Sequence, residues 1–213
     1  NTLRVSICPS STAFSSNLTS TSSVTANATS AGATTVNVTG TPTANLYVGD
    51  LVSFDGGTSY IRTTQVNSTN VVLASAVTAA ITVGAPILRK WQYADNFGVA
   101  PGTSDFVSNK AGSADEMHVI VLDEDGKFTG TANTVVEKYA FVSKAADAVN
   151  GDGSSNYYKQ VIFNQSNYVY AAGPVSYSVT NSTWGQPAAN TTFANPTTNV
   201  TLSLAGGSEF TPT

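Results

Sequence analysis

The residues able to do chemistry are few and scattered: one histidine (His118), one cysteine (Cys8) and two short acidic stretches. A histidine becomes a zinc ligand or a general base only with suitable partners around it, and the spacing here shows none, so His118 is expected to be an ordinary structural residue. Cys8 lies in a strand-like run without a nucleophile signature and reads as a small core residue. Asp123-Glu124-Asp125-Gly126 is acidic enough to suggest a cation, yet lacks the spaced ligands ending in glutamate of the common calcium loop. A hairpin turn is the expectation there, and a solvated turn for Asp147, Asn150, Asp152 and Asn156. The pairs Gly56-Gly57 and Gly206-Gly207 are not followed by the strand-to-helix context of a phosphate loop. Glycosylation-type triplets begin at Asn17, Asn27, Asn37, Asn67, Asn164, Asn181, Asn190 and Asn199, as arises by chance in a chain so rich in Asn, Ser and Thr. The expected catalytic, cofactor-binding and metal-ligating sets are therefore all none, with no cofactor and no enzyme activity.

The elements that would position any site are mainly β. At 213 residues and 41% hydrophobic content the chain has room for one or two domains. Only 10% of residues are charged, against ~25% in ordinary soluble domains. Thr and Val suit pleated half-buried surfaces, and Asn, Gly and Ser suit the turns between them. A net charge of −4 gives no field to gather phosphate or anionic lipid, so neither nucleic acid nor a membrane is an expected partner. No apolar run approaches the ~20 residues of a membrane helix. The single cysteine leaves no intrachain disulfide. The chain opens on a strand-like run without an initiating Met or signal peptide, which is expected of a piece of a longer polypeptide.

Met117 to Lys144 is the densest stretch: an apolar run, a tight charged turn and a second apolar run that returns beside the first. In the return, Val135, Glu137, Tyr139 and Phe141 form the more apolar face. Leu3, Val5 and Ile7 alternate with polar residues in a half-buried strand that Pro9 ends. The Ser/Thr/Asn-rich stretch from Ser10 to Ser30 reads as a linker anchored by Phe14 and Leu18. It leads into short strands at Thr34–Thr39, Leu51–Phe54, Tyr60–Val66, Asn70–Ala74 and Ala85–Arg89, with a hairpin turn at Thr69-Asn70. Their close spacing predicts a small closed barrel. Beyond it, a helix is expected at Asn156–Phe163, N-capped by Ser154 or Ser155, then strands at Tyr168–Ala171, Val175–Thr180 and Asn199–Leu204. The expected fold is mainly β (α+β with one short helix): a β-sandwich-like domain interrupted by an inserted β-barrel. Residues 1–22 would hold its first strand and linker, 23–90 the insertion, and 91–213 the remainder.

Four runs carry a family resemblance: NTLRVSICPS at the start, ADEMHVIVLDEDGKFTGTANTVVEKYAFVSKAADA, DGSSNYYKQVIFNQSNYVYAAG, and TLSLAGG. In order and spacing the chain resembles the tail sheath proteins of contractile-tailed bacteriophages over roughly residues 1–14 and 97–207. The resemblance implies an internal fragment of a structural virion subunit, made in the host cytoplasm. Such a subunit forms stacked hexameric rings with other copies of itself around a tail tube and contracts to drive that tube through the host envelope for genome ejection. It further implies that tail tube and baseplate are met through regions mostly outside this fragment, and that the insertion stands apart from the shared core. From a different class, an extracellular or fibre-type carbohydrate-binding adhesion module would use Trp91, Tyr93, Trp184 and Phe193 as stacking residues.

Overall fold

The structure is a computed structural model that describes residues 2–171 and 183–204. In chain order its strands are β1 (Leu3–Cys8), β2 (Ser15–Asn17), β3 (Thr25–Ala26), β4 (Thr35–Thr39), β5 (Leu51–Ser53), β6 (Ile61–Val66), β7 (Asn70–Leu73), β8 (Ala85–Pro86), β9 (Leu88–Lys90), β10 (Glu116–Asp123), β11 (Thr134–Ser143) and β12 (Val200–Leu204). Its helices are α1 (Ser11–Phe14), α2 (Leu18–Ser22), α3 (Asp105–Ser108) and α4 (Tyr158–Gln165). The protein is mainly β, with two antiparallel sheets, and divides into two compact units: residues 1–10 with 101–213, and residues 11–100.

The first unit is built on the four-stranded order β11-β10-β1-β12. Its centre is β10, where the run Met117 to Asp123 is buried throughout. An unbroken β-branched and apolar run suits a strand covered on both faces. On one face Met117, Val119 and Val121 join Leu3 and Ile7 of β1, Tyr139 and Val142 of β11, and Tyr158, Val161 and Ile162 of α4. On the other, His118, Ile120 and Leu122 lie opposite Cys8, Ser6 and Arg4, since residues directly opposed in an antiparallel pair share a face.

The expected alternation of β11 is interrupted. Met117 pairs with Val142 but Val119 pairs with Tyr139, leaving Ala140 and Phe141 as a bulge opposite His118. Phe141 takes a positive φ of 54°. Tyr139 and Val142 consequently both reach the core, while Phe141 leaves the face that simple alternation gave it.

In the second unit the order is β2-β9-β5-β6-β7-β4-β3-β8 around a core that includes Leu18, Val36, Leu46, Val52, Val71 and Ile87. The order has two ends, so the expected barrel is not closed by any named strand pair. A buried ion pair, Arg89 Nε to Asp50 Oδ2 at 2.9 Å, lies within this unit. The same guanidinium donates to the carbonyls of Thr12 (3.3 Å) and Ala13 (2.9 Å), tying α1 to β9. The expected linker contains α1, β2, α2 and β3 instead. Its Asn17 caps α2, accepting from Thr19 N at 3.1 Å and Ser20 N at 3.4 Å.

Other expectations need correction. Instead of one short helix there are four short α-helices and two 3-10 turns among the described residues. The helix starts at Tyr158 after Tyr157, which makes no side-chain cap, so neither Ser154 nor Ser155 is its N-cap. The middle hairpin turns over Asn67 to Thr69, where Asn67 N donates to Asn70 O at 2.9 Å. Tyr168 to Ala171 makes no strand pairing among the described residues; Val169 and Ala171 pack on the core that includes α4. Val175–Thr180 and Gly206-Gly207 lie outside the described residues.

Candidate functional site

Chemistry-bearing groups of the first unit gather most densely at the start of β10. The Asp115 carboxylate accepts from Ser104 N (2.8 Å), Ser104 Oγ (2.9 Å) and Ser143 Oγ (2.5 Å). Glu116 accepts from Gly102 N at 2.9 Å. Lys144, fully buried, donates through Nζ to the carbonyls of Pro9 and Ala114, each at 2.7 Å, and lies 5.3 Å from the Trp184 ring centre. Burial pushes its amine down to about 8, opposed chiefly by the charge of Asp115. Burial likewise raises Glu116, against the Gly102 hydrogen bond and with Asp115 and Asp105 adding to the rise. The cluster ties the end of β1 to the start of β10 through these hydrogen bonds.

His118 is wedged beside this region. Phe141 N donates to its Nδ1 at 3.1 Å, and its ring meets Phe141 edge-on at 4.7 Å. Accepting at Nδ1 occupies the lone pair that a general base or ligand would offer there. Cys8 is buried directly across the ladder from it. Among the described residues no group of three or more His, Cys, Asp or Glu side chains is arranged to hold a metal ion.

The two acidic stretches are turns whose carboxylates accept hydrogen bonds from within the turn and from other segments. Asp123 Oδ2 accepts from Phe128 N (2.9 Å), Thr129 N (2.7 Å) and Thr129 Oγ1 (2.8 Å). Glu124 pairs with Arg4 and accepts from Ser203 Oγ at 2.7 Å. Consecutive strand-end side chains point to opposite faces, so the Asp123 and Glu124 carboxylates do not converge. Asp147 receives Lys110 Nζ at 2.8 Å and Ala188 N at 2.7 Å. Asp152 accepts from Ser154 N at 2.9 Å, and Asn156 donates to Phe141 O at 2.9 Å, so these residues do not surround a common point.

What remains is a surface. Phe128 (52% exposed) meets Tyr168 edge-on at 5.3 Å, and Phe163 (60%) meets Tyr170 (68%) at 5.6 Å. Tyr168 and Tyr170 alternate with inward-packed Val169 and Ala171, and the segment is fastened to β11 where Glu137 accepts from Ser166 Oγ (2.6 Å) and Asn167 N (2.8 Å). Exposed aromatic rings of this kind are enriched at protein interaction surfaces. The rings singled out by sequence are placed differently: Trp91 and Phe193 are buried at 0% and 1% exposure, and Trp184 packs on Tyr158, so these do not form a stacking platform. Tyr93 stacks edge-on against Trp91. The exposed set was legible only in part. Phe163 falls off the apolar face of α4, and the alternation in YVYA is visible in the sequence but fits a strand equally well.

No family model matches the chain, and no match was found among curated proteins or solved structures.

Proposed function

We propose that the chain is part of a structural subunit of a contractile phage tail sheath, assembling with copies of itself as stacked hexameric rings around a tail tube. The observation that carries this reading is where the resembling runs fall. NTLRVSICPS supplies β1, the long run supplies β10 and β11, DGSSNYYKQVIFNQSNYVYAAG supplies α4, and TLSLAGG begins within β12. Runs scattered over two hundred residues meet in one sheet and its covering helix, while most of what lies outside the resemblance is the second unit. A sandwich-like packing of the first unit and barrel closure of the second belong to the same reading. Only Ile87 separates β8 from β9, and those strands pair with β3 and β5 respectively, so one run of chain would close the ring.

The aromatic surface supplies what a subunit of a mechanical assembly needs, apolar area available to neighbours, in keeping with free energy stored at interfaces rather than at a catalytic centre. Electron microscopy of the full-length protein is expected to show tubes or stacked rings. The double variant Phe163→Ser/Tyr170→Ser is expected to keep its thermal unfolding temperature and lose assembly. A full-length protein that stays monomeric in all conditions and binds a glycan array would overturn the reading in favour of an adhesion module.

A further inference from the structure

Lys144 is a fully buried cation whose direct partners are two neutral carbonyls and an aromatic face; among the described residues no carboxylate lies within ion-pair distance of its Nζ. Taking an ammonium out of water without a contacting counter-ion is costly, and a neutral amine would keep two donors for the same two carbonyls. The charged and titratable groups that face it are Asp115, immediately before β10, Glu116 at its start, and Cys8 on β1. Trp184, whose ring centre lies 5.3 Å from Nζ, is carried on the short turn Thr183–Gln186. That turn is seated by Gly185 N on Lys144 O (2.8 Å) and by Ala146 N on Gln186 O (3.0 Å), and its indole donates from Nε1 to Ala194 O at 2.9 Å.

We infer that the Trp184 turn is a proton-operated cover over Lys144, lifting to let the ammonium reach water and seating firmly when the amine is neutral. The sign follows from linkage. An amine that holds its proton more weakly when covered, at about 8 against an ordinary 10.5, favours opening wherever it is charged. Opening is thus most frequent at and below pH 8, and falls by on the order of a hundredfold as pH rises from there to the ordinary lysine range. This device is independent of the sheath reading, because it is internal to one unit.

Amide hydrogen exchange of Gly185 tests it. Base-catalysed exchange through an unlinked opening climbs by about tenfold per pH unit. In the wild-type protein the Gly185 rate is expected to climb in that way to about pH 8 and then flatten, because each further rise in pH closes the cover as fast as it speeds the chemistry. Gly185 is also expected to exchange faster than Ile120 in the centre of β10, as a local opening requires. Lys144→Arg, charged at every pH used, and Lys144→Met, never charged, are both expected to give an unbroken climb, the first at a higher level and the second at a lower one. Should one variant fail to fold, the other decides. A wild-type rate that climbs without flattening, a flattening that survives in either variant, or Gly185 protection equal to that of Ile120 would overturn the inference.

Discussion

His118 and Phe141 explain each other. Phe141 adopts a left-handed backbone that a bulky residue rarely takes, and its N–H is satisfied by an imidazole instead of a ladder carbonyl. His118→Ala is expected to destabilise the first unit by about 2–4 kcal/mol, through the lost ring volume and an orphaned N–H, as read by urea unfolding. Two further residues set an alkaline signature. The Lys144 amine is lowered in the fold, so the unfolded chain binds more protons from about pH 8 to 10.5 and stability rises over that window. Tyr139 is pushed up to about 12 by burial, helped by the Glu137 carboxylate its hydroxyl bonds, so stability is lost as pH rises from about 10 toward 12. Urea midpoints followed from pH 7 to about 11.5 are therefore expected to climb before they fall, and Lys144→Met is expected to remove the climb. Little of this was readable from the sequence: nothing in the order of residues announces that Lys144 points inward, because a lysine is ordinarily a surface residue.

At the scale of elements, the hairpin and most strands of the second unit were legible because their apolar periodicity is the cause of their burial. Strands β2 and β3 were not. Ser15, Ser16 and Asn17 carry no alternation, and the element exists because its backbone pairs with β9. Phe14 and Leu18 nonetheless serve as the anchors their type suggested, at 8% and 2% exposure. Turn chemistry gives a direct test of the hairpin. A Cβ on Gly126, at φ +80°, would meet Ala132 N at 2.8 Å, whereas Gly32, at φ +87°, has nothing within 4 Å. Gly32→Ala is expected to cost about 1 kcal/mol for backbone strain alone, and Gly126→Ala at least twice that because the facing backbone must also move, as measured by thermal unfolding.

At the scale of the molecule, both units depend on buried cations that bind chain segments far apart in sequence. Arg89→Met would leave Asp50 buried without its cation and the Thr12 and Ala13 carbonyls without a donor; a loss of about 3–5 kcal/mol in the second unit is expected by denaturant titration. The consequence reaches the order of events in folding. β1 must find β10 across about a hundred intervening residues, but Ser15 pairs with Lys90 and Phe14 O accepts from Trp91 N at 2.8 Å, so the second unit returns the chain almost to where it departed. Once that unit has formed, the loop left to close is about thirty residues, which lowers the closure entropy by about 1 kcal/mol. The second unit is thus expected to act as an internal tether, forming ahead of the sheet of the first. In stopped-flow refolding, a variant that weakens only the second unit should therefore slow the formation of the first.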